Sequence, residues 1–158
     1  MTLANIDSAT IHNLANPTGR RPRRDVRALA EHLAADRRFA GCSVEELAAL
    51  VRAGTTVSLP ARWPFLRQGA PADALYVLLT GNASVFRHRD AVAELSAGEI
   101  FGELPLLVGG QRTATVTSLE RVKALRVGYD RLAPLLQRHA GLERVIADVG
   151  ARRLAAVA

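Results

Sequence analysis

The run Phe101-Gly102-Glu103-Leu104-Pro105-Leu106-Leu107-Val108-Gly109-Gly110-Gln111-Arg112-Thr113-Ala114-Thr115-Val116 gathers the groups that a small sugar phosphate needs. Glu103 offers a carboxylate that accepts a hydrogen bond from a ribose hydroxyl. Arg112 and Thr113 offer a guanidinium and a hydroxyl to a phosphate. Gly102 lets backbone approach a ligand closely, and amide N–H groups at a helix start favour an anion. Taken singly, each residue has a plainer explanation. Glu103 could be a surface carboxylate stabilising a helix dipole, and Arg112 an ion pair with Glu103 or another carboxylate. Gly102 could be a turn glycine and Thr113 a strand threonine.

The flanking sequence shows what must position these groups. Val26, Leu29, Ala30, Leu33 and Ala34 recur at helical spacing and predict a helix from about Asp25 to Arg37. Ser43 opens a second helix and Glu46 three residues on completes a capping box; Leu47, Leu50 and Val51 face inward and Gly54 ends it. From Thr55 to Val127, short runs rich in Val, Leu, Thr and Tyr alternate with Pro60, Pro64, Gly69, Gly81, Gly98 and Gly109-Gly110. Regular turn signals of this kind predict a small barrel or sandwich. Inside it, Glu103 to Val108 is expected as a brief helix. Helical spacing returns from Asp130 through Leu132, Leu135, Leu136, Leu142, Val145, Ile146 and Val149, with a break expected at Gly141. The predicted order is helices, β-roll, helices: an α+β, mainly β chain. Its parts are a disordered basic tail over 1–24, entry helices over 25–54, a roll over 55–128 and C-terminal helices over 129–158.

The 101–116 run resembles the phosphate-binding cassette of the cyclic nucleotide-binding domain family. That family includes catabolite-activator regulators, regulatory subunits of cyclic-nucleotide-dependent kinases, and cyclic-nucleotide-gated channels. Phe101, Gly102, Glu103, Leu104, Leu106, Arg112, Thr113, Ala114, Thr115 and Val116 fall in its register without insertion or deletion. Phe65 to Val85 is similar to the early strands, with Gly69 and Gly81 bracketing Leu75-Tyr76-Val77-Leu78-Leu79. Leu95 to Ile100 is similar to the approach to the cassette, and Phe39 to Leu47 to the helical entry. The resemblance spans about residues 30–150.

The resemblance implies a jelly-roll topology and a ligand, cyclic AMP or cyclic GMP, bound without turnover. The ligand-binding residues it implies are Gly102, Glu103, Leu104, Arg112, Thr113 and Ala114. Glu103 would accept from the ribose 2′-hydroxyl and Arg112 would pair with the cyclic phosphate. Thr113 would add a hydroxyl, which in cyclic-GMP-selective members also reaches the guanine amino group. Ala114 would lend a backbone N–H. Pro105 departs from the family's usual small residue and has no N–H to give. Val77, Leu79 and Val85 are candidate walls under the purine, or ordinary core. Leu142, Val145, Ile146 and Val149 are candidates for a lid over the base, a helix packed on the barrel, or a dimer seam.

Composition bounds the alternatives. The 158 residues, 49% hydrophobic and 23% charged, suit one core. The net charge is +6, of which Arg20, Arg21, Arg23 and Arg24 supply four within five residues; Lys123 is the single lysine. That arm is read as solvated, with salt-sensitive nucleic-acid binding as the other use of such a tract. One cysteine, Cys42, excludes an intramolecular disulfide and a cysteine-based zinc site. His12, His32, His88 and His139 lack metal-ligand spacing and read as surface residues. No catalysis, cofactor or metal is expected. No apolar run is long enough for a membrane span and no signal core is present, so a cytoplasmic location is expected. Asp130 to Ala158 has room only for lid helices. A free-standing sensor without a helix-turn-helix, and so without specific DNA binding, is therefore expected, acting as a homodimer or on a separate effector. The competing expectation is an interaction module that kept the fold and lost the ligand.

Overall fold

Amphipathic spacing and capping chemistry decide the first two helices among residues 23–157, the residues that the structure, a computed structural model, describes. Helix α1 spans Arg23–Ala34 and buries Val26, Ala30 and Leu33 on one face. The expected tail, 1–24, lies outside the described residues except for Arg23 and Arg24, which open α1. A 3-10 turn, Arg37–Phe39, follows and buries Phe39. Helix α2, Val44–Ala53, starts at Ser43 with both arms of the capping box made: Glu46 N–H donates to Ser43 Oγ and Ser43 N–H to Glu46 Oε1, each at 3.1 Å. Gly54 is its C-terminal cap.

Eight strands follow: β1 Thr55–Leu59, β2 Pro64–Leu66, β3 Ala74–Thr80, β4 Ala83–Arg87, β5 Asp90–Leu95, β6 Ile100–Phe101, β7 Thr115–Ser118 and β8 Val122–Gly128. They form two antiparallel four-stranded sheets, ordered β1-β8-β3-β6 and β2-β7-β4-β5. Helix α3, Leu104–Val108, interrupts the roll; helices α4, Tyr129–Arg138, and α5, Ala140–Val157, close the described chain. Helices, roll and helices thus occur in the expected order.

Side chains alternate between the two faces of a strand, and in β3 this divides the core in two. Ala74, Tyr76 and Leu78 point into the roll, against Val57, Leu59, Phe65, Phe101, Val122 and Ala124. Leu75 and Val77 point outward into a second core, where Leu33, Phe39, Leu47, Leu50, Leu132, Leu142 and Ile146 cover the sheet with helices. Inside the roll Phe65, Tyr76 and Phe101 form an aromatic trio with ring centroids 5.2–5.8 Å apart. Buried rings in edge and stacked contacts are favourable beyond their area alone. This trio anchors β6, which delivers the chain to Gly102 and Glu103.

The helix break falls at His139, whose φ of −126° and ψ of 91° end α4, rather than at Gly141. Gly141 lies inside the first turn of α5, where a Cβ would overlap Glu46 and the Gly41 carbonyl. Its lack of a side chain serves close packing. Gly141 N–H (2.9 Å) and Leu142 N–H (3.2 Å) both donate to Glu46 Oε2. One carboxylate therefore caps α2 and holds the start of α5. Cys42, beside this junction, is partly buried and free, and burial pushes its thiol up to about 11.

Candidate functional site

Phe101, buried in the aromatic trio, fixes the point at which the chain turns out of β6. Gly102 follows at φ +81°, a left-handed conformation that L side chains rarely adopt. A Cβ there would lie 2.8 Å from Arg112 Nη1 and 3.1 Å from the Ala74 carbonyl oxygen. Glycine at this position is thus a condition for Arg112 to sit where it does. Glu103 then takes helical backbone angles and caps α3, with its carbonyl accepting from Leu106 and Leu107 N–H. Pro105 fits this first turn, where its missing N–H costs no helical bond.

All six expected ligand residues, Gly102, Glu103, Leu104, Arg112, Thr113 and Ala114, line one cavity of about 220 Å3. Apolar walls come from Leu66, Val85, Leu95 and Val116. Of the three proposed purine walls only Val85 is there. Val77 and Leu79 sit on the other face of β3, in or against the helical core, because strand parity turns them away.

Glu103 is 1% exposed. Its Oε2 accepts a hydrogen bond from Arg153 Nη1 at 2.6 Å, and Arg153 Nη2 donates to the Ile100 carbonyl. Its Oε1 is buried and has no hydrogen-bond partner among the described residues. A buried carboxylate oxygen without a donor is costly unless something supplies one.

Arg112, 5% exposed, does not pair with Glu103. Nη2 donates to the Ala74 carbonyl at 2.7 Å and lies 3.8 Å from Asp73. Nη1 donates to the Gly102 carbonyl at 3.1 Å and to the Tyr129 hydroxyl at 3.2 Å. Asp73 is shared with Arg126 at 3.0 Å. Of the two structural alternatives for Arg112, the ion pair with Glu103 is not made, whereas the one with another carboxylate is met by the shared, half-exposed Asp73, beside two carbonyls and a phenol. Burial raises the Tyr129 hydroxyl above its ordinary value, with Arg112 opposing, so the phenol stays neutral and can both donate and accept.

The candidate lid residues go elsewhere. Leu142, Val145 and Ile146 are buried in the helical core and Val149 packs against it. The part of α5 that reaches the cavity is its last turns, through Arg153 and Ala156. Arg153 and Tyr129 were not legible as site residues: one arginine in an arginine-rich chain and one tyrosine after a strand carry no periodic or spacing signal.

Among the described residues no group of three or more His, Cys, Asp or Glu is gathered, and no helix is long and apolar enough to cross a membrane. His32 and His88 are exposed and His139 half-buried.

Among known families, residues 56–139 match the one described as the cyclic nucleotide-binding domain. The chain belongs to that family. As a cyclic nucleotide-binding domain it is 36% identical over 93 residues to a cAMP-dependent protein kinase regulatory subunit of Aspergillus fumigatus, covering 58% of this chain and 22% of that one. It is 26% identical over 121 residues to a CRP-like cAMP-activated global transcriptional regulator of Mycobacterium tuberculosis, covering 73% of this chain and 54% of that one. In structure it resembles the Thermus thermophilus catabolite activator protein, with a TM-score of 0.69 and 28% identity over 76% of this chain and 59% of that one. The domain thus spans from about a fifth to about half the length of these curated relatives.

Proposed function

We propose that this cyclic nucleotide-binding domain is a non-catalytic sensor that binds cyclic AMP or cyclic GMP in the cavity between the cassette and the roll. The observation that carries the reading is the buried Glu103 carboxylate with Oε1 unpartnered, in the same cavity wall as Arg112. A ribose 2′-hydroxyl is a neutral donor suited to Oε1, and a singly charged cyclic phosphate suits Arg112 and the Thr113 hydroxyl. Apolar Leu66, Val85, Leu95 and Val116 suit the faces of a purine. Gly102, Leu104 and Ala114 shape the remaining wall.

The output of such a sensor would be a change in α4 and α5, felt by a second copy or by an effector protein. The ion pair from Glu103 to Arg153 supports this, since it connects the proposed sugar contact directly to α5. A ligand drives that change only by binding the two arrangements of α5 with different affinity.

The test is calorimetric titration of the unfolded-and-refolded, nucleotide-free chain with cyclic AMP and with cyclic GMP, beside Arg112→Lys. Arg112→Lys is preferred to Arg112→Ala, because alanine would take the guanidinium donor from the Ala74 carbonyl and leave the Gly102 carbonyl with the Tyr129 hydroxyl alone, confounding folding with binding. Lysine keeps the charge and loses the planar fork. Micromolar or tighter binding that falls roughly a hundredfold in the lysine variant is expected. Absence of heat with both nucleotides would overturn the reading in favour of a ligand-free interaction module.

A further inference from the structure

Tyr129 is not among the residues that line the cavity. It opens α4, and its backbone N–H donates to the Asp73 carbonyl at 2.9 Å. Its hydroxyl donates to the Gly102 carbonyl and accepts from Arg112 Nη1 at 3.2 Å. Nη1 itself donates to the same Gly102 carbonyl at 3.1 Å. The Arg112 guanidinium carbon also lies 5.9 Å from the Tyr129 ring centroid. Ring and hydroxyl thus hold the guanidinium together, and they hold the cassette glycine as well.

We infer that Tyr129 is a positioning residue for the phosphate contact: its hydroxyl fixes the rotation of the Arg112 guanidinium and ties that guanidinium to the first turn of α4. This rests on the nucleotide-binding reading above. An arginine free to rotate must be ordered by the ligand, which weakens binding. One already ordered is pre-organised and does not incur that cost. Among the described residues Tyr129 is the one side chain that bonds Arg112 through a neutral group and belongs to the C-terminal helices. Movement of Arg112 toward a bound phosphate must therefore either stretch this bond or draw the start of α4 with it.

The variant is Tyr129→Phe, which keeps the ring and removes one oxygen; a thermal melt reports that it folds. Two measurements are made on it and on the wild-type chain: calorimetric affinity for cyclic AMP and cyclic GMP, and nitrogen-15 NMR of the Arg112 guanidinium. The expected result is separate Nη signals in the wild type, averaged signals in Tyr129→Phe, and about tenfold weaker binding of the better nucleotide. Weaker binding with Arg112 still ordered would assign the loss to general destabilisation and overturn the inference. Unchanged binding with wild-type nucleotide affinity intact would overturn it while leaving the sensor reading standing. No nucleotide binding by the wild-type chain would overturn both. Should Tyr129→Phe fail to fold, the ligand-free wild-type chain decides by NMR: a Tyr129 hydroxyl proton slow to exchange and close to the Arg112 Nη protons supports the inference, and a freely exchanging one with averaged Arg112 Nη signals overturns it.

Discussion

Glu103 and Arg153, 50 residues apart in sequence, meet at 2.6 Å where the cassette touches α5. The carboxylate is 1% exposed and the guanidinium side chain 30%. Removing the cation from a pair with one deeply buried member leaves a charge without its counter-charge.

Arg153→Ala is therefore expected to destabilise the chain by about 1 to 3 kcal/mol, less than for a fully buried pair because Arg153 is partly solvated. Thermal unfolding measures the loss. Hydrogen exchange should place it in the last turns of α5, faster there and unchanged in β3 and β8. A variant as stable as wild type with unaltered exchange in α5 would show that the pair contributes nothing.

Gly102→Ala tests the cassette's backbone. The substitution forces an alanine into φ +81° and sets its Cβ against Arg112 Nη1. A stability loss of about 1 to 3 kcal/mol is expected, together with weaker nucleotide binding, because Arg112 must shift. Normal binding in a folded variant would show that Arg112 tolerates displacement.

Thr113 is exposed at the cavity mouth. Thr113→Ala is expected to weaken cyclic GMP more than cyclic AMP, by about fivefold, the scale of one hydrogen bond. Equal losses for the two nucleotides would remove Thr113 from any role in selectivity.

Glu46 governs the acid side of stability. Its carboxyl lies below the ordinary value of 4.5, first because Ser43 N–H donates to it and then because Leu142 and Gly141 N–H do, against the opposing effect of desolvation. A folded-state value below the unfolded one means that the contribution is complete above about pH 4.5 and is lost as pH falls through the folded value. Glu46→Gln should melt lower than wild type at neutral pH, and the gap should close on acidification. A gap that stays constant with pH would mean that the charge is irrelevant to the junction.

How far the chain could be read ahead of its structure depended on whether the signal was local. Ser43, Glu46 and Gly54 act within four residues of the groups they satisfy, so α2 was visible with its caps. The cassette was visible because its residues lie within one short window, and all six meet at one cavity. For Val77 and Leu79 the sequence leaves cavity wall and ordinary core both open, and one-residue parity in β3 decides for the core on the helical side. Leu142, Val145 and Ile146 showed helical period correctly, but period alone does not say which surface a helix covers. That is decided by α2 and by Glu46, almost a hundred residues away. The partners of Arg112 were hidden for a further reason: two of them are backbone carbonyls, which every residue has.

The order β1-β8-β3-β6 has a consequence for how the chain is made. β8, the last strand in sequence, lies between β1 and β3 and pairs with both, Thr55 to Leu59 on one side and Ala74 to Thr80 on the other. A growing chain that has not yet released β8 holds β1 and β3 without their common partner. Local hairpins such as β4–β5 can form early, while the larger sheet waits for long-range closure, which is slow. Until then the apolar faces of β1 and β3 stay open to mispairing, the exposure that makes incomplete chains prone to aggregate.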